Sequence, residues 1–235
     1  MDASIASNLE SVRSRIDAAA RRAGRDPSDI RLIAVSKMFS ADHVRAAWSA
    51  GQRDFGENKV QEALQKIGDA ADMEIRWHLI GHLQSNKARK AAGAFACIHS
   101  VDSVDLLRKL DAAAVELGAS PDALVQVDLA REETKFGAAA DDARRILDAA
   151  QTARAVRIGG LMLIPPWNED QEQTRPWFAR LRELRETWLA AGVPAASLRQ
   201  LSMGMSHDFE AAIEEGSTLV RVGTAIFGKR TYSAA

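Results

Sequence analysis

The sequence of 235 residues contains only one cysteine, Cys97, and one tyrosine, Tyr232. A single cysteine cannot form an internal disulfide, which is typical of a reducing, cytoplasmic setting. No apolar stretch approaches the roughly 20 residues that cross a bilayer. The 31 basic and 32 acidic side chains leave a formal net charge of -1, so neither nucleic acid nor an anionic membrane is indicated as a partner. We therefore expect a cytoplasmic protein with small-molecule ligands.

The first 25 residues are Arg-rich and amphipathic, as transit peptides are. They nevertheless carry Asp2, Glu10 and Asp17 and lack the apolar segment of a secretory signal. We interpret residues 1–28 as an N-terminal helix that packs on a single domain spanning residues 1–235.

Strand-like apolar runs alternate with amphipathic helical stretches along the chain. The predicted strands are 31–35, 52–55, 75–80, 96–100, 123–129, 157–163, 198–203 and 218–223. The first helices each close with a glycine, as a C-cap does. Eight strand-helix units in about 200 to 250 residues predict the α/β fold of a closed (β/α)8 TIM barrel. The alternative is an open doubly wound sheet, but its G-x-G-x-x-G pattern is missing.

Lys37 follows the apolar run 32–35 and Ser36. Sites in such barrels lie at the carboxyl ends of the strands, so Lys37 is predicted at the mouth. A desolvated amine there loses basicity and becomes a nucleophile that forms a Schiff base with an aldehyde or ketone. The alternative is a solvated lysine at a strand end. Lys59, Lys87 and Lys135 also fall on loops at this end, but their polar surroundings predict solvated charges.

The loops after the last two strands have the pattern of an anion site. Gly204 and Ser206 precede a predicted helix, and Gly223 and Thr224 repeat the arrangement after strand 8. Helix N-termini offer backbone N–H groups to phosphate, and barrels commonly bind phosphate at these two loops. The alternative is that Ser206 only caps its helix and Gly223 only turns the chain.

Arg221 lies between Val220 and Val222 in strand 8, so alternation places it on the opposite face from both. An arginine inside a barrel needs a partner. A ring nitrogen or a phosphate of a ligand would serve, and so would a buried carboxylate such as Asp128 or Glu57.

Three other features of the sequence are better explained by structure than by ligand binding. Asn58 and Gln61 have the spacing of a capping box, which we favour slightly over a ligand contact of Asn58. His78 and His82 have the i, i+4 spacing of helical metal ligands, but the segment is predicted as strand and turn, so no metal is expected and His78 is placed in strand packing at the rim. Cys97 is expected to be a small core residue.

Six motifs carry a family resemblance: AVSK, FGENKVQE, WHLIGHLQSNK, HSVDS, GLMLIPP and LSMGMSHDFEAAIEEGSTLVRVGTAIFG. In order and spacing they resemble the pyridoxal-phosphate homeostasis proteins, single-barrel relatives of the alanine racemase N-terminal domain. The resemblance spans about residues 30 to 230. It implies a fold-type-III pyridoxal 5'-phosphate (PLP) protein in which Lys37 forms the internal aldimine, Arg221 faces the pyridine nitrogen and Asn58 lies beside the ring. The residues that it implies for the phosphate are Ser202, Gly204, Met205, Ser206, Gly223 and Thr224.

The resemblance implies a role in vitamin B6 homeostasis with little or no turnover. A charged Arg221 would keep the ring nitrogen unprotonated and weaken the electron sink that aminotransferases use. A racemase needs a second base, a tyrosine in alanine racemase, and the one tyrosine here is Tyr232. Two alternatives stay open: a racemase-like enzyme using Lys37 with His82 or His207, and a cofactor-free Schiff-base aldolase. We expect a monomer whose partners are PLP, amino acids and PLP-dependent apoenzymes.

Overall fold

The computed structural model describes residues 2–130 and 136–228 and contains a closed barrel of eight parallel strands. The strands follow the order of the sequence around the barrel, and β1 pairs with β8 to close it. They are β1 Arg31–Val35, β2 Asp54–Glu57, β3 Arg76–Leu79, β4 Cys97–Val101, β5 Asp122–Gln126, β6 Arg157–Met162, β7 Gln200–Met205 and β8 Leu219–Val222. The predicted (β/α)8 barrel is confirmed, and the open sheet is wrong.

Nine helices lie within the described residues: the first precedes β1, the next seven connect successive strands, and the last follows β8. They are α1 Asp2–Arg22, α2 Ala41–Ser49, α3 Val60–Asp69, α4 Ala88–Ala94, α5 Val104–Leu117, α6 Ala140–Ala150, α7 Arg175–Ala190, α8 Phe209–Glu214 and α9 Thr224–Phe227. Short 3-10 helices lie at Pro27–Asp29, Ser85–Lys87, Gln171–Gln173 and Ala195–Leu198. Within the described ranges, no helix combines the length and apolarity that a bilayer crossing requires.

The predicted glycine caps are only partly correct. Gly118 ends α5 in the left-handed conformation, with φ 63°, as a C-cap glycine does. Gly68 and Gly93 instead lie inside α3 and α4, whose C-caps are Ala70 and Phe95. These two helices therefore continue past the glycine that was expected to stop them.

Alternation along each strand divides the apolar residues between two cores. In β1, Leu32 and Ala34 pack outward against the helices. Ile33 points into the barrel, where it packs with Cys97 and Leu124. Cys97 is thus a small buried core residue, as expected. Each large apolar side chain buried in this way contributes about 1.5–3 kcal/mol of transfer free energy.

The helix α1 lies against α2, α8 and α9. Asn8 Nδ2 donates to the carbonyl oxygen of Ile226 at 2.9 Å, and Arg15 forms an ion pair with Glu210. The helix ends at Arg22, before the end of the segment 1–28 that the sequence suggested, and a separate 3-10 turn precedes β1.

Candidate functional site

A cavity of about 290 Å³ lies at the carboxyl ends of the strands. Nine residues were predicted to form a site at this end of the barrel. Seven of them line the cavity: Lys37, Asn58, Met205, Ser206, Arg221, Gly223 and Thr224. The other two lie behind its wall, since Ser202 is bonded to Arg221 and Gly204 faces α8. The structure therefore brings the separate sequence motifs together around one space.

Lys37 reaches the cavity from the loop that follows β1. A buried cluster fixes the backbone just before it. Ser36 Oγ donates to Glu57 Oε1 at 2.7 Å, while Lys66 Nζ lies 2.7 Å from the carbonyl oxygen of Ser36 and 2.5 Å from Glu57 Oε1. Met38, directly after Lys37, has a left-handed backbone with φ 65°, which is uncommon for a residue with a side chain. Lys37 is thus held in a sharply turned and anchored segment.

The role of Lys66 in this anchor was not predicted from the sequence. A lysine on an amphipathic helix is usually solvated, and Lys66 is instead buried against Glu57. Its only sequence signal is an acidic residue at the end of the preceding strand. Which helical residue reaches Glu57 depends on how α3 is rotated on the barrel.

Arg221 is buried in the wall of the cavity, with 3% of the residue exposed. Its Nη1 donates to Ser202 Oγ at 2.7 Å and its Nη2 to the carbonyl oxygen of Leu163 at 3.0 Å. Glu57, one of the two carboxylates suggested as its partner, pairs with Lys66 instead. Within residues 2–130 and 136–228 the guanidinium forms no ion pair, so the suggested pairing with Asp128 or Glu57 is wrong.

Arg221 stays charged even though it is buried. Burial lowers its pKa to about 10, and the more distant charge of Asp208 opposes this effect. The guanidinium remains positively charged at neutral pH. Among the described residues, this buried cation hydrogen-bonds only to a hydroxyl and a carbonyl, which leaves its charge for a ligand to balance.

Ser206 joins the loop after β7 to the start of α9. Its Oγ accepts hydrogen bonds from the backbone N–H groups of Gly223 at 3.0 Å and Ala225 at 3.4 Å. The alternative that Ser206 caps the following helix is wrong, because α8 begins at Phe209 after Asp208. Backbone N–H groups at a helix start are donors that phosphate oxygens accept, and here both of these donate to Ser206 Oγ.

Asn58 faces the cavity instead of capping a helix. The helix α3 begins at Val60 with Lys59 as its N-cap, and no side chain caps it. The predicted capping box is therefore wrong, because the helix starts one residue too late for it. A Cβ atom at Gly81 would lie 2.2 Å from the carbonyl oxygen of Asn58. Only glycine at position 81 allows this close approach, which places Asn58 at the mouth.

The three histidines that the sequence singled out occupy different parts of the structure. His78 lies inside the barrel, not at the rim, and hydrogen-bonds to Asp54 and His99. His82 stacks on Phe136, with ring centroids 3.7 Å apart, and is absent from the lining of the cavity. His207 does line the cavity.

Of three further residues that were considered as candidates, one is described and two are not. Lys59 is exposed and pairs with Glu62, as expected of a solvated charge. Lys135 and Tyr232 lie outside the described residues.

Fold and site together define a class of protein: a (β/α)8 barrel whose mouth brings an amine, a buried guanidinium and the backbone at the start of α9 to one cavity. The family model for the alanine racemase N-terminal domain matches residues 7–231, and the chain belongs to this family.

Curated relatives match over nearly their whole length. The pyridoxal phosphate homeostasis protein of Pseudomonas aeruginosa is 45% identical, over 98% of this chain and 97% of its own. The protein of the same name from Aquifex aeolicus is 40% identical, over 95% and 97% of the two chains.

Solved structures agree with this fold. PipY of Synechococcus elongatus, solved with PLP bound, is 43% identical and superimposes with a TM-score of 0.84, covering 95% of this chain and 100% of its own. Alanine racemase of Clostridium difficile has a TM-score of 0.71 at 15% identity, covering 98% of this chain and 58% of its own. That second likeness concerns the fold alone.

Proposed function

We propose that this protein binds PLP at the mouth of the barrel through a covalent link to Lys37 and serves PLP homeostasis in the cytoplasm, with little or no turnover. One observation carries the proposal. Lys37, the buried Arg221 and Gly223 line a single cavity. The name of the homeostasis relatives and the PLP in PipY support the choice of ligand.

The residues present fit each functional group of PLP. When bound, PLP supplies an aldehyde that condenses with an amine and an electron-withdrawing ring. Lys37 provides the amine, and the backbone N–H groups at the start of α9 suit the phosphate. Arg221 suits the ring nitrogen, because a guanidinium can only donate hydrogen bonds. Asn58 lines the same cavity and is assigned to the ring.

Arg221 also supports low turnover. A cationic donor opposite the ring nitrogen disfavours its protonation, which limits how well the ring can stabilise a carbanion. A racemase-like enzyme remains the second candidate, since His207 lines the cavity and could act as a base beside Lys37. Incorporation of solvent deuterium at the α-carbon of an amino acid, lost in Lys37→Ala, would favour that candidate.

The protein is proposed to act as a monomer that exchanges PLP with apoenzymes at this mouth. The exchange is supported by the rim, where the large side chains of Met38 and Trp167 are 64% and 73% exposed and could contact an apoenzyme. Size-exclusion chromatography with light scattering tests the monomer, and transfer of PLP to an apoenzyme in excess tests the exchange.

Titration with PLP, followed by absorbance, tests the proposed ligand. The wild-type protein is expected to develop a saturable near-visible band that Lys37→Ala lacks. Lys59→Ala is the matched control, because Lys59 is an exposed lysine at the same end of the barrel. If all three proteins gave the same weak response, Lys37 would not be the attachment site. Borohydride trapping by sugar phosphates and not by PLP would favour the cofactor-free aldolase.

A further inference from the structure

A chain of hydrogen bonds crosses the interior of the barrel from Arg221 to Asp54. Arg221 Nη1 lies 2.7 Å from Ser202 Oγ, which lies 2.9 Å from His99 Nδ1. His99 Nε2 lies 3.0 Å from His78 Nδ1, and His78 Nε2 lies 2.9 Å from Asp54 Oδ1. All five side chains are buried. They come from five different strands and connect the mouth of the barrel to its amino-terminal end.

The Asp54 carboxylate fixes the direction in which these hydrogen bonds are donated. Burial alone would raise the pKa of Asp54, but hydrogen bonds from His78 and Arg76 hold it below its usual value, so the carboxylate only accepts. Burial also lowers the pKa of His78 and of His99, so each ring is neutral and carries one N–H.

One arrangement of hydrogens satisfies every bond. His78 donates from Nε2 to Asp54, so its Nδ1 accepts from the Nε2–H of His99. His99 Nδ1 then accepts from the hydroxyl of Ser202, whose oxygen accepts from Arg221. Each hydrogen bond is therefore donated in the direction from Arg221 towards Asp54. Because the hydroxyl hydrogen of Ser202 is directed at His99, the Ser202 oxygen presents its lone pairs to the guanidinium.

The same residues could also suggest a metal site. His78, Cys97 and His99 form the one group of metal-type ligands found in the described part of the chain. Every ring nitrogen of the two histidines is already in a hydrogen bond, and burial raises the pKa of the Cys97 thiol. The thiol therefore stays protonated and is a poor ligand.

We propose that Asp54, His78 and His99 are positioning residues that hold Arg221 through Ser202. The proposal rests on the proposed function, in which Arg221 faces the ring nitrogen of PLP. Ser202 and the carbonyl of Leu163 together engage two of the five guanidinium N–H donors, so they orient the group towards the cavity. None of the three positioning residues lines the cavity, and their effect on the ligand is indirect.

The first test measures the histidine tautomers in the protein without PLP. A long-range ¹H–¹⁵N correlation spectrum at neutral pH is expected to show His78 and His99 neutral and protonated on Nε2. A buried ring protonated on Nδ1, or stoichiometric zinc in the purified protein, would overturn the proposed chain. This result does not depend on PLP, so it separates failure of the chain from failure of the proposed function.

The second test measures PLP affinity and the visible absorbance band in variants of His99. His99→Phe removes both ring nitrogens and is expected to weaken PLP affinity about tenfold and to shift the visible band. Cys97→Ala is the control for packing, since Cys97 is buried on the same strand outside the chain. His99→Asn retains an acceptor for Ser202 and is expected to recover most of the affinity. Unchanged affinity and spectrum in His99→Phe would contradict the proposal; if that variant does not fold, the tautomers decide.

Discussion

At the scale of single residues, the buried pair of Lys66 and Glu57 does more than neutralise two charges. Both residues bond to Ser36, next to the proposed attachment lysine. Desolvation makes a buried ion pair costly, and removal of one partner leaves the other charge unbalanced. The pair is therefore expected to matter both for stability and for the position of Lys37.

We predict that Lys66→Met lowers the free energy of unfolding by about 3 kcal/mol, because it leaves Glu57 buried and unpaired. Urea denaturation of Lys66→Met, Glu57→Gln and the double variant measures the coupling. The double variant is expected to lose less than the sum of the two single losses. Additive losses would show that the two side chains do not act as a pair.

At the scale of elements, glycine permits the contact between β7 and α8. Gly204 has a φ of 90°, and a Cβ there would lie 2.6 Å from Ala212 Cβ and 2.9 Å from Phe209 Cα. Both the backbone conformation and the close packing therefore exclude a side chain. This contact sets where the loop with Ser206 leaves the strand.

We predict that Gly204→Ala is more destabilising than Gly24→Ala. Gly24 has a similar left-handed φ of 66° but no atom within 4 Å of its ideal Cβ, so it carries the backbone cost alone. The backbone cost is about 1 kcal/mol, and the clash at Gly204 adds to it. Unfolding free energies of the two variants measure the difference. Equal losses would mean that the packing against α8 relaxes freely.

A comparison of the elements with the sequence shows which features could be predicted from the sequence alone. Short apolar runs separated by helical stretches predicted all eight strands, because a strand that is buried on both faces is apolar along most of its length. The capping box at Asn58 failed because α3 starts one residue later, which only tertiary contacts decide. Seven predicted site residues line the cavity, since strand ends of a barrel converge by topology. The bonds of Arg221 and Lys66 could not be predicted, because side-chain partners depend on register and helix rotation.

At the scale of the whole molecule, the barrel encloses polar groups that most cores exclude. His78 and His99 are buried among apolar side chains, and burial lowers the pKa of both. The hydrogen-bonded chain compensates for their desolvation only while the rings are neutral. Folding therefore opposes their protonation.

We predict that stability falls as the pH drops below about 6.5, the pKa of an unfolded histidine. Below that pH the unfolded chain binds protons that the folded chain does not, so the free energy of unfolding decreases by up to about 1.4 kcal/mol per pH unit for each ring. Urea denaturation across this range measures the slope. His99→Asn is expected to show a smaller slope, and an unchanged one would contradict the buried neutral state.

Borohydride reduction of the PLP-loaded protein, followed by peptide mass mapping, shows whether one lysine at the barrel mouth holds PLP. We expect one phosphopyridoxyl adduct, on the peptide that contains Lys37. Adducts spread over exposed lysines such as Lys59, with none on Lys37, would contradict it.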